Sequence, residues 1–295
     1  MSEVRFKELR HAPPMAVNFA KAVLRARVRP GNAPVLPDEG LRLNDVAQKS
    51  RHLAAYRQVC GFSADGHLPI TYPHMHAFPL HMALILGDGF PFPAMGLVHV
   101  RNRITQFRPI GEREQLNIKC YTGNLTQVEK GYEFSIFTVV STAGERVWQS
   151  ESVNFHRGGG HGEKKSPDAQ RDKQTTAPAP DLIEEWEVPG DTGRRYASVS
   201  GDRNPIHLYP LTAKAFGFKR QIAHGMWSKA RCLAALQPEL PEQAFTVDVR
   251  FKLPMFIPAK VKFARTRQND GLDFQLLAAD GVKPHLSGKV RPVSE

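Results

Sequence analysis

A short pattern that occurs once in each half of the chain constrains the fold more than any other feature. Residues Val98–Arg101, followed by Phe107 and Pro109, align without a gap with Val247–Arg250, which are followed by Phe256 and Pro258. Such internal similarity indicates two copies of one structural design. At 295 residues, the chain is long enough for two domains of ordinary size.

The predicted elements repeat in the same order as the pattern. In the first half, residues 48–59 have a helical pattern, and residues 78–86 predict a helix that is apolar nearly all round and therefore buried. Segments with alternating or continuous apolar and β-branched residues predict the strands, at 97–107, 114–121, 132–141, 146–155, 183–188, 245–253, 259–265, 272–279 and 286–290. An α+β fold follows, with a buried helix packed on an antiparallel sheet.

The segment between the halves has the composition of a linker. Residues 157–181 contain three consecutive glycines and many charged, Ser, Thr, Gln and Pro residues, with almost nothing apolar. The sequence therefore predicts an N-terminal domain at 1–156, a linker at 157–181 and a C-terminal domain at 182–295. Residues 16–27 predict a further helix with a basic face, packed on the first domain.

A polar turn in the second half has no counterpart in the first. Asp202 and His207 are five residues apart, a spacing that a regular helix would not place on one face. Pro205 disfavours helical conformation at Asn204, so the chain is expected to bend there. The acid and the imidazole should then face one small space.

A second helix is predicted to begin beside this turn. Gly217 suits the left-handed exit of one helix, and the next is expected to start near His224 and Gly225. The first N–H groups of a helix have no partner inside it and attract negative charge. An acid, a base and free amide donors together are suited to chemistry beside a carbonyl group.

These residues carry a family resemblance. The series S-G-D-x-N-P-x-H, A-x-x-x-G-F and I-x-H-G-M, which begins at Ser200, resembles the hydratase-2 motif of the MaoC-like family of (R)-specific enoyl-thioester hydratases and dehydratases. The resemblance implies a double hot-dog fold, in which two antiparallel sheets each wrap a central helix and pack side by side. The first half would be degenerate, because it lacks the D-x-N-P-x-H motif, so each chain would hold one active site.

The resemblance also implies an activity and roles for residues. The protein would be a hydro-lyase that reversibly adds water to trans-2-enoyl thioesters to give (3R)-hydroxyacyl thioesters. Asp202 and His207 would move protons, Asn204 would orient the water, and the Gly225 N–H would stabilise the oxyanion. Which of the acid and imidazole acts as the base stays open. Four residues are expected to bind substrate, namely Tyr196, Arg203, His224 and Ser228; Ser228 could bond to Asp202 or merely face the sheet.

Two other functions remain open from the sequence, namely an acyl thioesterase and a non-catalytic acyl-thioester binding or assembly subunit. The resemblance does not distinguish a coenzyme A thioester from an acyl-carrier-protein thioester, or a monomer from a homodimer. The prolines and glycines after residue 86 are expected to open a pocket for long acyl chains. A large residue in place of Ala83 or Leu84 should fill this pocket and shorten the acyl chain that the enzyme prefers.

Composition excludes several classes of protein. The net charge of +11 indicates an acidic partner or substrate, but nucleic-acid-binding motifs are absent. Three scattered cysteines, no signal-like apolar run and no membrane-spanning segment lead to the expectation of a cytoplasmic protein without membrane contact. No cofactor is predicted. Four histidines of the first half lack a convincing set of metal ligands and are expected to be structural or to line the pocket; they are His74, His76, His81 and His99.

Overall fold

A computed structural model of the chain describes residues 4–15, 18, 33–158 and 180–293. Eleven strands of these residues form one sheet, in the order β1-β2-β4-β5-β6-β3-β8-β11-β10-β9-β7. The strands are β1 Arg5–Leu9, β2 Glu39–Val46, β3 Val98–Gln106, β4 Leu116–Val128, β5 Gly131–Thr142, β6 Glu145–Arg157, β7 Leu182–Val188, β8 Phe245–Phe251, β9 Ala259–Gln268, β10 Gly271–Ala278 and β11 Pro284–Pro292.

Within the described residues, five complete helices and two short 3₁₀ turns connect these strands. The helices are α1 Ser50–Cys60, α2 Pro73–Ile85, α3 Thr192–Ser200, α4 Pro210–Ala215 and α5 Gly225–Ala235. The 3₁₀ turns are Pro205–His207 and Gln237–Glu239. Among the described helices, none combines the length and the apolar character that crossing a membrane requires.

The sheet is arranged as two matching halves around its centre. Read outward from the middle, β3-β6-β5-β4-β2 corresponds to β8-β11-β10-β9-β7, and β1 adds a parallel strand outside β2. The helices α2 and α5 precede the two central strands in equivalent places. The predicted double hot-dog fold is confirmed, and its two sheets join into one because β3 pairs with β8 antiparallel.

The central helix of the first half begins earlier than the sequence predicts. It starts at Pro73, a residue suited to the first helical position because its ring fixes φ and no N–H is needed there. Pro79 lies inside the helix, where it removes one backbone hydrogen bond. Burial of most of its side chains compensates for this loss.

Two predicted segments fall largely where no structure is described. The expected helix at 16–27 lies outside the described residues apart from Asn18, and so does most of the expected linker at 157–181. On either side of that segment, β6 ends at Arg157 and β7 begins at Leu182. The domain boundaries stay a prediction.

A buried lysine ties α5 to the centre of the sheet. The Lys229 side chain is fully buried, and its Nζ donates to the Asn102 backbone oxygen at 3.0 Å and to Asn102 Oδ1 at 2.7 Å. A third bond runs to the Val247 oxygen at 3.3 Å. Burial lowers the pKa of this amine well below its usual value, although Asp248 opposes the shift. The Lys229 side chain thus joins α5 to both strands at the junction.

We expect Lys229→Met to lower the free energy of unfolding by about 1–3 kcal/mol, because it leaves buried oxygens without a donor. Adding Asn102→Leu should recover part of this loss, since replacing both partners by apolar groups removes the unpaired side-chain oxygen. Urea unfolding of both single variants and the double variant measures the coupling. Effects that simply add, to within about 0.5 kcal/mol, would show that the two side chains are not coupled.

Candidate active site

The polar turn predicted from the sequence is held by hydrogen bonds between its own residues. Helix α3 ends at Ser200, and Gly201 follows with a φ of 74°, which favours glycine. The Asn204 N–H donates to Asp202 Oδ1 at 3.1 Å, and Asn204 Oδ1 accepts from the Ile206 N–H at 3.4 Å. Asn204 therefore caps the 3₁₀ turn that carries His207, so part of its role is structural.

A glycine in α3 allows this turn to approach the helix closely. A Cβ atom at Gly193 would lie 1.9 Å from the His207 carbonyl oxygen, so no other residue fits without movement of the backbone. The Arg194 guanidinium donates to the Leu208 carbonyl oxygen at 3.0 Å on the same side. These contacts fix the position of the imidazole relative to α3.

The proton of His207 is placed by its backbone partner. Nδ1 lies 2.8 Å from the Ile222 carbonyl oxygen, which can only accept, so Nδ1 carries the hydrogen and Nε2 keeps a lone pair. The side chain is buried, and burial lowers its pKa, although Asp202 and the bond to Ile222 oppose the shift. The ring is therefore neutral near pH 7 and can accept a proton at Nε2.

A second histidine stacks on His207. The ring centroids of His207 and His224 are 3.7 Å apart, at an angle of 27°. His224 Nε2 donates to the Asp202 backbone oxygen at 3.0 Å and lies 3.8 Å from Asp202 Oδ2. Burial, followed by proximity to His207, lowers the pKa of His224 well below its usual value. His224 thus acts as a neutral donor that holds the Asp202 turn in place.

These three side chains are the one group with potential metal-ligand spacing within the described residues. Asp202, His207 and His224 each offer a ligand atom, and the three atoms lie within 4.8 Å of one another. The hydrogen bond from His224 Nε2 to a carbonyl oxygen places its proton there, so that nitrogen is not a lone-pair donor. The hydrogen bonding of this trio therefore suits proton transfer better than metal coordination.

Helix α5 begins beside the trio, as predicted. Gly225 is its first residue and follows His224 at the N-cap position. A Cβ atom at Gly225 would be 3.0 Å from the Phe251 ring, so glycine permits close packing there. Ser228 Oγ donates to the His224 carbonyl oxygen at 3.3 Å, so the structure assigns its hydroxyl to the helix and not to Asp202.

These groups open on a cavity of about 420 Å³ that both halves line. It brings together Asp202, Asn204, His207, Gly225 and the expected substrate-binding residues Tyr196, His224 and Ser228. The Tyr196 hydroxyl is buried 3.9 Å from the Met75 sulfur, and burial raises its pKa well above the usual value, so this ring is a neutral wall. Arg203 is exposed and is not part of the lining.

One face of α2 supplies a large part of the first half's contribution to the cavity lining. Its lining residues are His74, Met75, Phe78, His81, Met82 and Ile85, spaced as on one side of a helix. Ala83 and Leu84, the positions at which the sequence suggested filling the pocket, pack into the main hydrophobic core instead. A residue that shortens the pocket must therefore replace Ile85 or a neighbour on the lining face.

Three of the four first-half histidines line this cavity. His74 and His81 lie with ring centroids 5.2 Å apart, and His81 Nε2 lies 2.7 Å from Thr138 Oγ1. Burial lowers the pKa of His74 to about 4 and that of His99 to about 3, with a further contribution from neighbouring charged groups. The fourth, His76, lies outside the lining and contacts Gln48 Oε1 at 2.6 Å.

Sequence reasoning missed several lining residues that come from strands and loops far from the motif. They are Ser152, Asn154, Phe251, Lys252, Leu253 and His285, among others. The alternation within the strands shows which residues share a face of the sheet, but not which of them meet a helix from the other half. The motif alone carried no signal for these positions.

Asp202, His207 and His224 thus meet beside the first residue of α5, within a double hot-dog fold. Residues 162–283 match the family described as MaoC like domain. The chain is 34% identical over 258 residues to 3-hydroxyacyl-thioester dehydratase X of Mycobacterium tuberculosis, which covers 87% of this chain and 90% of that protein.

Solved structures agree with this similarity. The crystal structure of the Mycobacterium tuberculosis protein HtdX matches 86% of this chain and 100% of its own with a TM-score of 0.74 and 31% identity. A MaoC-like dehydratase from Phytophthora capsici, at 21% identity and a TM-score of 0.73, shares the fold over 90% of this chain and 97% of its own. The chain belongs to the MaoC-like dehydratase family, and it is an enzyme of the hydro-lyase class.

The buried neutral histidines predict a pH-dependent stability. An unfolded histidine takes up a proton near pH 6.5, whereas His74 does so near pH 4 in the folded chain, so stability is present above pH 6.5 and is lost as pH falls toward 4. The loss is about 1.4 kcal/mol per pH unit for each such histidine. Urea unfolding at pH 7.5, 6 and 5 gives the free energy of unfolding at each pH. This free energy should fall less steeply with falling pH for His74→Phe than for the wild type. The exposed His67→Phe is the control, and equal slopes for all three proteins would contradict the assignment.

Proposed function

We propose that the chain catalyses the reversible syn addition of water to trans-2-enoyl thioesters, giving (3R)-hydroxyacyl thioesters. The observation that carries the proposal is the convergence of Asp202, His207 and the first amide of α5 on one cavity with a largely apolar wall. The similarity to a 3-hydroxyacyl-thioester dehydratase supports the same reaction class.

The start of α5 is suited to the charge that the reaction develops. Addition of water at C3 moves electrons onto the thioester oxygen, which then needs hydrogen-bond donors. The Gly225 N–H lies in the first turn, has no acceptor inside the helix, and is reinforced by the positive end of the helix dipole.

The polar turn supplies the groups that handle the water. His207 Nε2 carries a lone pair, and the Asp202 carboxylate is oriented by the Asn204 N–H, so both can accept a hydrogen bond from one water molecule. In the forward step a water O–H bond breaks, the C3–O bond forms, and the proton held by the pair is delivered to C2 on the same face.

The carrier is a separate element of the proposal. Coenzyme A and the prosthetic group of acyl carrier protein both bring phosphate to the cavity entrance, and Arg203, Lys214 and Lys219 are exposed cations near the motif. Arg220 donates to the Pro258 carbonyl oxygen at 3.0 Å, which leaves it less suited to this role. We propose an acyl thioester on one of these carriers as the substrate.

The acid–base assignment is tested by removing each group. Asp202→Asn and His207→Ala should each lower kcat by at least about 100-fold, because general acid–base groups contribute about 10² to 10⁴ in rate. The double variant should be little worse than either single variant, since the pair acts as a unit. The measurement is the loss of enoyl-thioester absorbance with crotonyl and decenoyl groups on both carriers, together with the chirality of the product.

Matched controls are Asp38→Asn and His67→Ala, which replace the same residue types at exposed positions. Both controls should keep wild-type turnover, and circular dichroism should show that every variant is folded. Wild-type hydration by folded Asp202→Asn or His207→Ala would refute the assignment. Release of free thiol in place of hydration would identify a thioesterase.

The cavity wall from α2 should set the acyl chain length. Ile85→Trp fills the apolar part of the cavity, so the ratio of decenoyl to crotonyl kcat/KM should fall about tenfold, as expected for steric discrimination in an apolar pocket. Leu211→Trp, at a side chain that is 80% exposed and outside the lining, adds the same ring without filling space. A ratio equally affected, or unaffected, in both variants would show that α2 does not limit chain length.

A further inference from the structure

The cavity has a polar wall that the hydration of a plain acyl chain does not use. His74 and His99 line it from α2 and β3, and Ser152 and Asn154 add polar groups from β6. Two ring nitrogens on this wall, His74 Nδ1 and His99 Nε2, are buried without a hydrogen-bond partner. Few buried polar groups in folded proteins lack a partner, so each such nitrogen calls for an explanation.

A hydrocarbon chain would leave these nitrogens unpaired. Removing a buried polar group from water without giving it a partner costs free energy, so a site of this kind favours a ligand that supplies one. His74 is nine-tenths buried, with 5% of its surface exposed. The low pKa values of His74 and His99 keep both rings neutral at pH 7, so each has one N–H and one lone pair. Two neutral imidazoles match a hydroxyl group, which both donates and accepts, better than an ionised carboxylate.

The position of the wall indicates where on the chain the hydroxyl would lie. His74 is close enough to Asp202 for the carboxylate to influence its pKa. The His99 ring lies 5.0 Å from that of Phe251, which itself contacts the Gly225 position. The wall therefore faces the reacting end of the acyl chain, and the Phe78 ring, with its centroid 6.1 Å from that of His74, continues the lining as an apolar surface.

We propose that His74 and His99 form a subsite for a hydroxyl group on the acyl chain, close to the reacting carbons, and that the enzyme prefers such hydroxylated enoyl thioesters over plain ones. The inference rests on the proposed hydratase function and adds to it the substrate class. The two histidines select the substrate by hydrogen bonding and take no part in the proton transfer assigned to Asp202 and His207.

The test compares trans-2-octenoyl-CoA with its 4-, 5-, 6- and 7-hydroxy derivatives. We expect the wild type to hydrate one of the 4-, 5- or 6-hydroxy compounds with a kcat/KM at least about tenfold above that of the plain chain, because the hydroxyl pairs two otherwise unpaired nitrogens. His74→Phe and His99→Phe should each reduce that preference toward unity. His67→Phe, an exposed histidine outside the cavity, should retain it.

The outcomes separate this inference from the proposed function. Hydration of the plain chain with no preference for any hydroxylated isomer would overturn the subsite and leave the hydratase assignment intact; a subsite filled only by water gives this result. No hydration of any of these chains, on coenzyme A or on acyl carrier protein, would instead refute the hydratase. A preference that persists in both folded histidine variants, or loss of plain-chain turnover as severe as that in Asp202→Asn, would also overturn the subsite. If the variants do not fold, the wild type alone tests the subsite, because its kcat/KM should depend on the position of the hydroxyl group along the chain.

Discussion

The antiparallel pairing of β3 with β8 is the interaction on which the rest of the structure depends. It joins a six-stranded unit to a five-stranded one, so that neither presents an unpaired central edge to solvent. Helix α2 packs on β4 and β5 of the first unit and α5 on β10 and β11 of the second, and residues of both helices line one cavity. Lys229 reinforces the junction because it donates to carbonyl oxygens on both strands. A cavity shared by the halves follows directly from this arrangement.

The two halves that meet at this junction contribute different groups to the cavity. The second half supplies the polar turn and the start of α5, which hold the groups to which we assign proton transfer and oxyanion stabilisation. The first half lacks the D-x-N-P-x-H sequence of that turn, and its helix is free to shape the cavity instead. Its lining face carries apolar residues such as Phe78 and Ile85 as well as His74, so one helix contributes both a hydrocarbon wall and a polar one.

A second physical feature of the site is that several of its histidines are buried. His207, His224, His74 and His99 all have lowered pKa values, chiefly because the charged form loses its hydration. Neutral rings can accept protons, stack, and hydrogen-bond to carbonyl oxygens without repelling one another. The stacking of His207 on His224 at 3.7 Å depends on this neutrality. Burial, more than ion pairing, therefore keeps these four imidazole rings neutral.

The sequence by itself determined the double α+β design, most strand positions, the polar turn at Asp202–His207 and the helix that begins at Gly225. These features arise from local rules of periodicity, proline geometry and helix termini, which act over a few residues. The tertiary structure decided the stack of His207 on His224, the packing of Ala83 and Leu84 into the core, and the presence of His74 and His99 in the lining of one cavity. The stack joins residues of separate elements, and the shared cavity depends on the pairing of β3 with β8, which no local pattern encodes.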